Sequence, residues 1–300
     1  MPGPPPYLQP ALVADDRALA ALADTLRAER TFAIDTESNS FHVYRERVCL
    51  IQISTRTTDW VLDTLSVDPR PLGPILRAAH RLVLHGADYD VRCLKREYGF
   101  ELPGLFDTMA AARRLGRTGI GLSALVAHHF DVHLSKDHQR SDWGRRPLSR
   151  EQVSYAALDT HYLLPLHDLL ARDLDERGLA DVAHREFASI AAVTPRAKVF
   201  DVEGWRRMKG MHDLDPAGRA VLRALWIARE ERASALDRPP FKVMPEQTML
   251  DVARRRPRTE EELLGIRGVT PVVLRRMGEA TMAAVRGAAE GGETPGDRRR

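Results

Sequence analysis

Four acidic residues and one tyrosine, in three separate segments, are of types that could do chemistry: Asp35, Glu37, Asp90, Tyr155 and Asp159. Each of them lies in or beside an apolar stretch of the sequence. A buried carboxylate costs several kcal/mol of folding free energy unless its charge is compensated. Two divalent cations would compensate it, and the same cations could promote cleavage of a phosphodiester bond.

The first two acids belong to a predicted strand over residues 31–37. Side chains two apart on a strand share a face, so Asp35 and Glu37 would repel each other and raise one pKa unless a cation intervened. An edge strand with both acids facing water is the alternative. The apolar residues 32–34, directly before Asp35, argue against that alternative because they indicate burial.

The other three residues are predicted to lie on helices. Tyr155 and Asp159 are four apart and share one helix face, although a core tyrosine beside a surface aspartate would show the same spacing. Asp90 falls in the first turn of a helix that follows the apolar strand 81–85. The helix dipole favours an acid there, which is an alternative explanation for Asp90 taken alone.

The elements that would position these residues form an α/β layer. The segment 36–47 between the first two predicted strands is too short for a crossover helix, so these strands should be antiparallel neighbours. Strands then alternate with helices, which indicates a mixed sheet. Strands are predicted at 31–37, 48–54, 59–63, 81–85 and 105–107, and helices at 15–29, 72–79, 88–98, 108–115, 121–130 and 149–177, the last with a bend at Pro165.

The C-terminal third has a different character. A linker is predicted near 178–200, and the chain beyond it should be all-helical, which gives domains at 1–195 and 205–290 and a disordered tail at 291–300. Residues 1–195 carry a net charge of −3 and residues 196–300 a net charge of +6. The basic part suggests contact with a polyanion such as nucleic acid, and a solvated arginine-rich surface is the alternative. Its helices are predicted at 203–210, 216–235, 246–255, 259–264 and 270–288.

Composition narrows the class of protein. Hydrophobic residues make up 43% and charged residues 29%, as in ordinary globular proteins. No run of 18 apolar residues occurs, so no membrane span is expected, and the expected location is cytoplasmic. Cys49 and Cys93 are interpreted as small buried apolar residues rather than as a disulfide or a metal site.

Taken together, the motifs resemble the ribonuclease D family of DEDDy 3′–5′ exonucleases. The resemblance covers about residues 10–180, and tyrosine at 155 distinguishes this branch from relatives with histidine there. It implies a ribonuclease H-like mixed-sheet fold, two divalent cations (Mg²⁺ or Mn²⁺), and release of nucleoside 5′-monophosphates. The matching segments are 35–37, 48–54, 85–90, 107–108, 141–148 and 155–159.

The resemblance also assigns roles by position. Asp35, Glu37 and Asp159 would hold the metal that binds the attacking water. Asp35 would bridge to a second metal near the leaving 3′ oxygen, which Asp90 would support. Tyr155 would position the water.

Other residues are expected to recognise the polymer. Ser38 stands where some relatives carry an aromatic residue that can stack on the terminal base, and Phe41 or Tyr44 could replace it. The side chains expected to contact nucleic acid are Lys136, Arg140 and Trp143 in a charged loop and Arg254, Arg255 and Arg275 near the C-terminus. Two alternatives remain open: a tryptophan that pins the loop, and arginines that are solvated helix ends.

The basic C-terminal region resembles a single HRDC domain, a helical nucleic-acid-binding module found in ribonuclease D proteins and in helicases of the RecQ type. The segments that carry this resemblance are 222–232, 239–243 and 262–269. The chain has no G-x-x-x-x-G-K-[ST] loop, so it is not itself such a helicase.

The acid set and the two resemblances therefore predict a metal-dependent 3′–5′ exoribonuclease that acts on RNA with a free 3′ end, and the resemblance to ribonuclease D implies tRNA precursors as substrates. A DNA exonuclease of the same fold, acting in repair, is one alternative, because the metals and the attacking water do not use the 2′-hydroxyl. A non-catalytic nucleic-acid-binding protein is another. The complete acid set argues against it, since nothing obvious would retain buried acids without metals.

Overall fold

The protein is described by a computed structural model over residues 9–195 and 199–290. The chain divides into two compact units. One contains the described residues up to Asn39 and from Arg47 to residue 195, and the other contains Ser40–Glu46 and the described residues from 199 onward. The predicted tail at 291–300 lies outside the described residues.

A six-stranded mixed sheet forms the centre of the first unit, which confirms the predicted fold class. Its strands are β1 (Ala11–Val13), β2 (Thr31–Ser38), β3 (Val48–Ser54), β4 (Asp59–Asp63), β5 (Arg81–Leu84) and β6 (Leu105–Asp107), in the order β1-β4-β3-β2-β5-β6. β2 and β3 are antiparallel neighbours, as predicted, and β2 pairs with β5 in parallel. The three-residue edge strand β1 was not predicted.

Helices cover the sheet of the first unit. They are α1 (Asp16–Glu29), α2 (Gly73–Ala78), α3 (Asp88–Tyr98), α4 (Thr108–Arg114), α5 (Leu122–Phe130), α6 (Arg150–His161), α7 (Leu163–Glu176) and α8 (Ala180–Ala191). All seven residues of β3 are buried, because β3 has a strand on each side and α6 packs against it. This explains why its sequence shows little alternation between apolar and polar residues.

Two predictions about the C-terminal half of this unit are wrong. The predicted linker near 178–200 contains α8, which buries Phe187 at 1% exposure. The predicted long helix 149–177 is divided at Tyr162 instead of bending at Pro165. Pro165 lies in the first turn of α7, where the missing N–H of proline leaves no helical hydrogen bond unmade.

The second unit is helical around its own apolar core. Its helices are α9 (Pro216–Ala235), α10 (Pro240–Val243), α11 (Glu246–Arg255), α12 (Glu260–Leu264) and α13 (Pro271–Glu290). A short 3₁₀ turn, Gly204–Arg207, stands where a helix was predicted at 203–210, and a second one, Met211–Asp213, follows it. None of the helices among the described residues has the length and apolar content needed to cross a membrane.

Candidate active site

Four of the five predicted site residues share one cavity of the first unit. The cavity has a volume of about 470 Å³, and its wall includes Asp35, Glu37, Tyr155 and Asp159. The fifth, Asp90, is 6% exposed, and its carboxylate accepts a hydrogen bond from the Thr36 hydroxyl at 2.5 Å. The acids from three separate segments of the sequence are therefore brought together by the fold.

Local structure explains how each acid is placed. Asp35 and Glu37 alternate with Thr36 along β2, at the end of the strand where its register with β3 shifts between Glu37 and Ser38. Such an irregularity terminates regular pairing and redirects the neighbouring side chains. It lies directly beside the second acid of the pair.

The helix that carries Tyr155 and Asp159 begins at a defined residue. The Ser149 hydroxyl accepts from the Gln152 backbone N–H, while the Gln152 side chain accepts from the Ser149 N–H. This capping box fixes the first turn of α6. Because Tyr155 and Asp159 are one turn apart, both then reach the same cavity.

A buried aspartate that is not part of the acid set fixes the loop before Asp90. The Asp107 carboxylate accepts from the backbone N–H groups of Gly86 and Ala87 at 3.0 and 2.8 Å. It also accepts from the N–H groups of Met109 and Ala110, and so caps α4 at the same time. One side chain thus holds the starts of α3 and α4 together, which places Asp90.

Burial opposes the ionisation of the acids most strongly, and the charges of neighbouring acids add to it. Burial, followed by the charges of Asp90, Asp159 and Glu37, raises the pKa of Asp35 well above its ordinary value. Burial and then the charges of Asp159 and Asp90 raise the pKa of Glu37 to about 9. The pKa of Asp159 rises to about 7 through burial and the charge of Asp90.

Burial likewise raises the pKa of Asp90, to about 6, although the hydrogen bond from Thr36 opposes the rise. A site that disfavours its own negative charge to this degree is suited to positive ions. The donor set consists of carboxylate oxygens, which hard ions such as Mg²⁺ and Mn²⁺ prefer.

The acids are close enough to interact electrostatically, but they are not gathered around one point. Among the described residues, no three His, Cys, Asp or Glu side chains are already arranged to hold one ion. The residue types nevertheless fit divalent cations, which prefer carboxylate oxygens.

Tyr155 is held beside the acids by aromatic neighbours. Its ring stacks on Trp143 with centroids 6.1 Å apart and contacts His138 edge-on at 5.7 Å. Burial, then the charges of Asp159 and other acids, raises the pKa of Tyr155, so its hydroxyl stays protonated near neutral pH.

The expectation that Trp143 stacks on a base is wrong. Its side chain is 1% exposed, so its faces are covered by protein and cannot meet a base. Trp143 instead pins the loop before α6, which was the alternative interpretation. Of the other two predicted contacts in this loop, Lys136 lines the cavity and Arg140 is exposed.

A nearly buried ion pair anchors the same loop to the sheet. Arg146 donates to both oxygens of Asp63 through Nε at 2.7 Å and through an Nη at 2.6 Å, and it also donates to the backbone carbonyl of Cys49. The Asp63 side chain is 5% exposed. Burial alone would raise the pKa of Asp63, but hydrogen bonds from Arg146 and Ser66 more than offset this and lower it.

We expect Arg146→Ala to destabilise the protein by about 3 kcal/mol, because it leaves the Asp63 carboxylate buried without its partner. Urea unfolding at pH 7 measures the change. Arg145→Ala is the matched control: Arg145 is exposed, so the control should change stability by less than about 0.5 kcal/mol. Equal effects of the two substitutions would show that the pair does not anchor the loop.

Two further residues near the acids were not singled out from the sequence. Tyr89 is 43% exposed, and its hydroxyl lies 2.8 Å from the Ser38 hydroxyl, so an aromatic ring stands beside the position where relatives carry one. His85 lines the cavity. Both lie in segment 85–90, in which the sequence indicates a role for Asp90 alone.

Tyr44 is engaged elsewhere, within the second unit. Its hydroxyl donates to Glu230 at 2.6 Å, and its backbone N–H donates to Asp237. This argues against Tyr44 as the stacking residue, whereas Phe41 is 50% exposed.

The three C-terminal arginines predicted to contact nucleic acid are exposed on α11 and α13. Arg254 forms ion pairs with Asp251 at 3.2 Å and Asp213 at 3.8 Å. Arg255 and Arg275 remain predictions as nucleic-acid contacts.

Comparison with known proteins gives a family match in each of the two units. A family model described as a 3′–5′ exonuclease matches residues 10–175, and a model of the HRDC domain matches residues 218–285. The chain is 31% identical over 263 residues to "Protein RRP6-like 1" of Arabidopsis thaliana, covering 82% of this chain and 41% of that protein. It is 34% identical over 252 residues to "Exosome complex component 10 homolog" of Caenorhabditis elegans, covering 80% of this chain and 28% of that protein.

Solved structures give the same result. The catalytic core of RRP6 from Trypanosoma brucei superposes with a TM-score of 0.85 at 28% identity, covering 97% of this chain and 84% of that one. RNase D of Escherichia coli, an exoribonuclease involved in structured RNA processing, gives a TM-score of 0.70 at 28% identity, with coverage of 94% and 76%.

The chain spans less than half the length of the two curated relatives, 41% and 28%. Its matches nevertheless include both domain types. Exonucleases of this class generally use divalent metal ions, which agrees with the oxygen-rich acid set. The chain belongs to the 3′–5′ exonuclease domain family of ribonuclease D and RRP6 and carries an HRDC domain after the exonuclease domain.

Proposed function

We propose that this chain is a metal-dependent exoribonuclease that removes nucleoside 5′-monophosphates one at a time from RNA 3′ ends. The observation that carries the proposal is the single cavity lined by Asp35, Glu37, Tyr155 and Asp159, with Asp90 buried and hydrogen-bonded to Thr36, the residue between the first two acids. RNA is the proposed polymer because the related E. coli RNase D is an exoribonuclease involved in structured RNA processing. Transfer RNA precursors are the proposed substrates within that class.

The residues divide the work of hydrolysis among them. Asp35, Glu37, Asp90 and Asp159 would hold two divalent cations, Mg²⁺ or Mn²⁺, which supply positive charge to the attacking and leaving oxygens of the scissile phosphate. Asp35 is flanked by the other three acids, each of which raises its pKa, and we assign it to both ions. The neutral Tyr155 hydroxyl can donate to or accept from a water at the cavity wall.

Lys136 and Tyr89 are proposed to handle the polymer end. Lys136 lines the cavity and offers a positive charge to a phosphate. Tyr89 offers an exposed aromatic ring on which the terminal base can stack.

Matched single-stranded RNA and DNA oligonucleotides, labelled at the 5′ end, test the proposal. With Mg²⁺ or Mn²⁺, the RNA should shorten from its 3′ end in single-nucleotide steps and release 5′-monophosphates, and EDTA should stop the reaction. Faster digestion of the DNA would favour a DNA exonuclease. Tight RNA binding that is indifferent to EDTA, without cleavage of either polymer, would favour a non-catalytic binding protein.

A further inference from the structure

The ring of His85 lines the cavity that holds the acids, and one of its two nitrogens has no hydrogen-bond partner. Its Nδ1 lies 2.9 Å from the Thr108 hydroxyl, whereas its Nε2 is buried and has no hydrogen-bond partner. The ring lines the same cavity as Asp35 and Tyr155. A buried polar atom without a partner is uncommon, because leaving it unpaired costs about 1–3 kcal/mol.

The hydrogen bonds around Thr108 fix which nitrogen carries the proton. Thr108 has one hydroxyl proton, and its hydroxyl donates that proton to the Leu84 carbonyl at 2.9 Å. The hydroxyl can then only accept from His85, so Nδ1 of His85 must be the protonated nitrogen. In a neutral imidazole the other nitrogen, Nε2, is then a bare acceptor.

The ring is neutral at physiological pH. Burial lowers the pKa of His85 to about 4, against an opposing effect of the Asp107 charge. Thr108 is 0% exposed, so water does not compete for the bond that sets the tautomer. Nε2 is therefore held as an uncharged acceptor, ready for a ligand that brings a proton on nitrogen or oxygen.

The sugar of the 3′-terminal nucleotide offers such a hydrogen-bond donor each time a nucleotide is removed. Its 5′-phosphate is the group to be cleaved, so its ribose must lie in the same cavity as the acids. Ribose carries hydroxyl donors in every nucleotide, whereas the hydrogen-bond donors of the four bases differ in number and position. Because the carboxylates are proposed to bind the cations, they are not available to accept a hydrogen bond from the sugar. A neutral acceptor such as His85 Nε2 can accept it instead.

We propose that His85 Nε2 accepts a hydrogen bond from a hydroxyl of the 3′-terminal ribose, and that Thr108 keeps the ring in the tautomer that allows it. This inference rests on the proposed exonuclease function. If the 2′-hydroxyl is the donor, His85 is a determinant of RNA over DNA. If the 3′-hydroxyl is the donor, His85 recognises an intact 3′ end.

Three RNA oligonucleotides that differ only in the terminal sugar test the proposal: all-ribose, 2′-deoxy at the last position, and 3′-deoxy at the last position. For wild type, kcat/KM should fall about tenfold with one of the two deoxy ends, the loss expected for one hydrogen bond. His85→Phe keeps a planar ring without the acceptor and should cleave all three at one common, lower rate. The deoxy end that lowers kcat/KM for wild type but not for His85→Phe identifies the hydroxyl that donates to His85.

Two substitutions of the tautomer-setting residue serve as a matched pair. Thr108→Ser keeps the hydroxyl and should keep the penalty, while Thr108→Val removes it at similar volume and should reduce the penalty. A readout independent of activity is ¹⁵N NMR of the metal-free wild-type protein, which should show the His85 proton on Nδ1. Thermal unfolding with and without Mn²⁺ shows that each variant is folded and binds metal.

The outcomes separate the two claims. Equal penalties in wild type and His85→Phe, no penalty in wild type, or a proton on Nε2 would each overturn the role of His85 while leaving the exonuclease intact. Failure of wild type to cleave any of the three RNAs would instead contradict the proposed function.

Discussion

Asp35→Asn is expected to lower the rate of RNA cleavage at least about a thousandfold without unfolding the protein. The substitution keeps the shape of the side chain but removes the carboxylate that interacts electrostatically with all three other acids. A loss of about 4 kcal/mol of transition-state stabilisation corresponds to three powers of ten in rate and is within what bound cations contribute. Single-turnover cleavage of 5′-labelled RNA at saturating protein measures it.

Asp88→Asn is the matched control for this substitution. Asp88 lies two residues from Asp90, but its side chain is exposed and pairs with Arg92 on the helix surface. Its loss should change the cleavage rate by less than about threefold, because an exposed pair contributes little. If Asp35→Asn retained more than a tenth of the wild-type rate, the acid set would not be the active site.

Glu37 alone is expected to lower the stability of the metal-free protein by about 5 kcal/mol as pH rises from 5 to 9. Glu37 has a pKa of about 9 in the folded protein against an ordinary value of 4.5. Above pH 4.5 the unfolded chain therefore ionises first, and the folded state loses relative stability until the pH passes 9. Asp159 and Asp90 act in the same direction, with pKa values of about 7 and 6.

Chemical denaturation in EDTA across this pH range measures the effect, and a parallel series in Mn²⁺ provides the comparison. Bound cations should remove most of the loss, since they favour the ionised carboxylates. Glu37→Gln should flatten the EDTA curve and make the metal-free protein more stable at pH 8. Asp63 does not interfere, because its lowered pKa affects stability only in acid. A stability that rises with pH in EDTA would show that burial and mutual repulsion do not raise the pKa values of these acids in the folded state.

The sequence predicted the elements that carry the site better than the residues that support it. Strand β3 and helices α9 and α11 lie at their predicted residues, because their apolar patterns are long and their boundaries carry clear turn or capping residues. The antiparallel pairing of β2 with β3 followed from the length of one segment. These features depend on local chemistry alone.

The errors arose where tertiary contacts decide. α8 was taken for a linker, although it buries Phe187 against the first unit. The sequence does not show what fixes the start of α3: Ala87 is its N-cap residue, and Asp107, 20 residues away, holds the loop. Trp143 offered an aromatic ring in a basic loop, and only the packing against α6 shows that its faces are covered.

The supporting residues of the site could not be found from spacing. His85 and Thr108 are 23 residues apart, and their hydrogen bond exists because β5 and β6 are parallel neighbours that end at the same edge. Tyr89 lies beside Ser38 for a similar reason: two distant segments meet above the sheet. No pattern within either segment signals these contacts.

Isothermal titration calorimetry at pH 7.5 tests most directly whether the acid set is a metal site. It measures the binding of Mn²⁺ to the wild-type protein and to Asp35→Asn. We expect wild type to bind two ions with release of protons, since carboxyl groups with raised pKa values must ionise to bind them. Asp35→Asn should bind at most one ion, more weakly. Equal binding by the two proteins, or no binding by wild type, would show that the acid set is not a metal site.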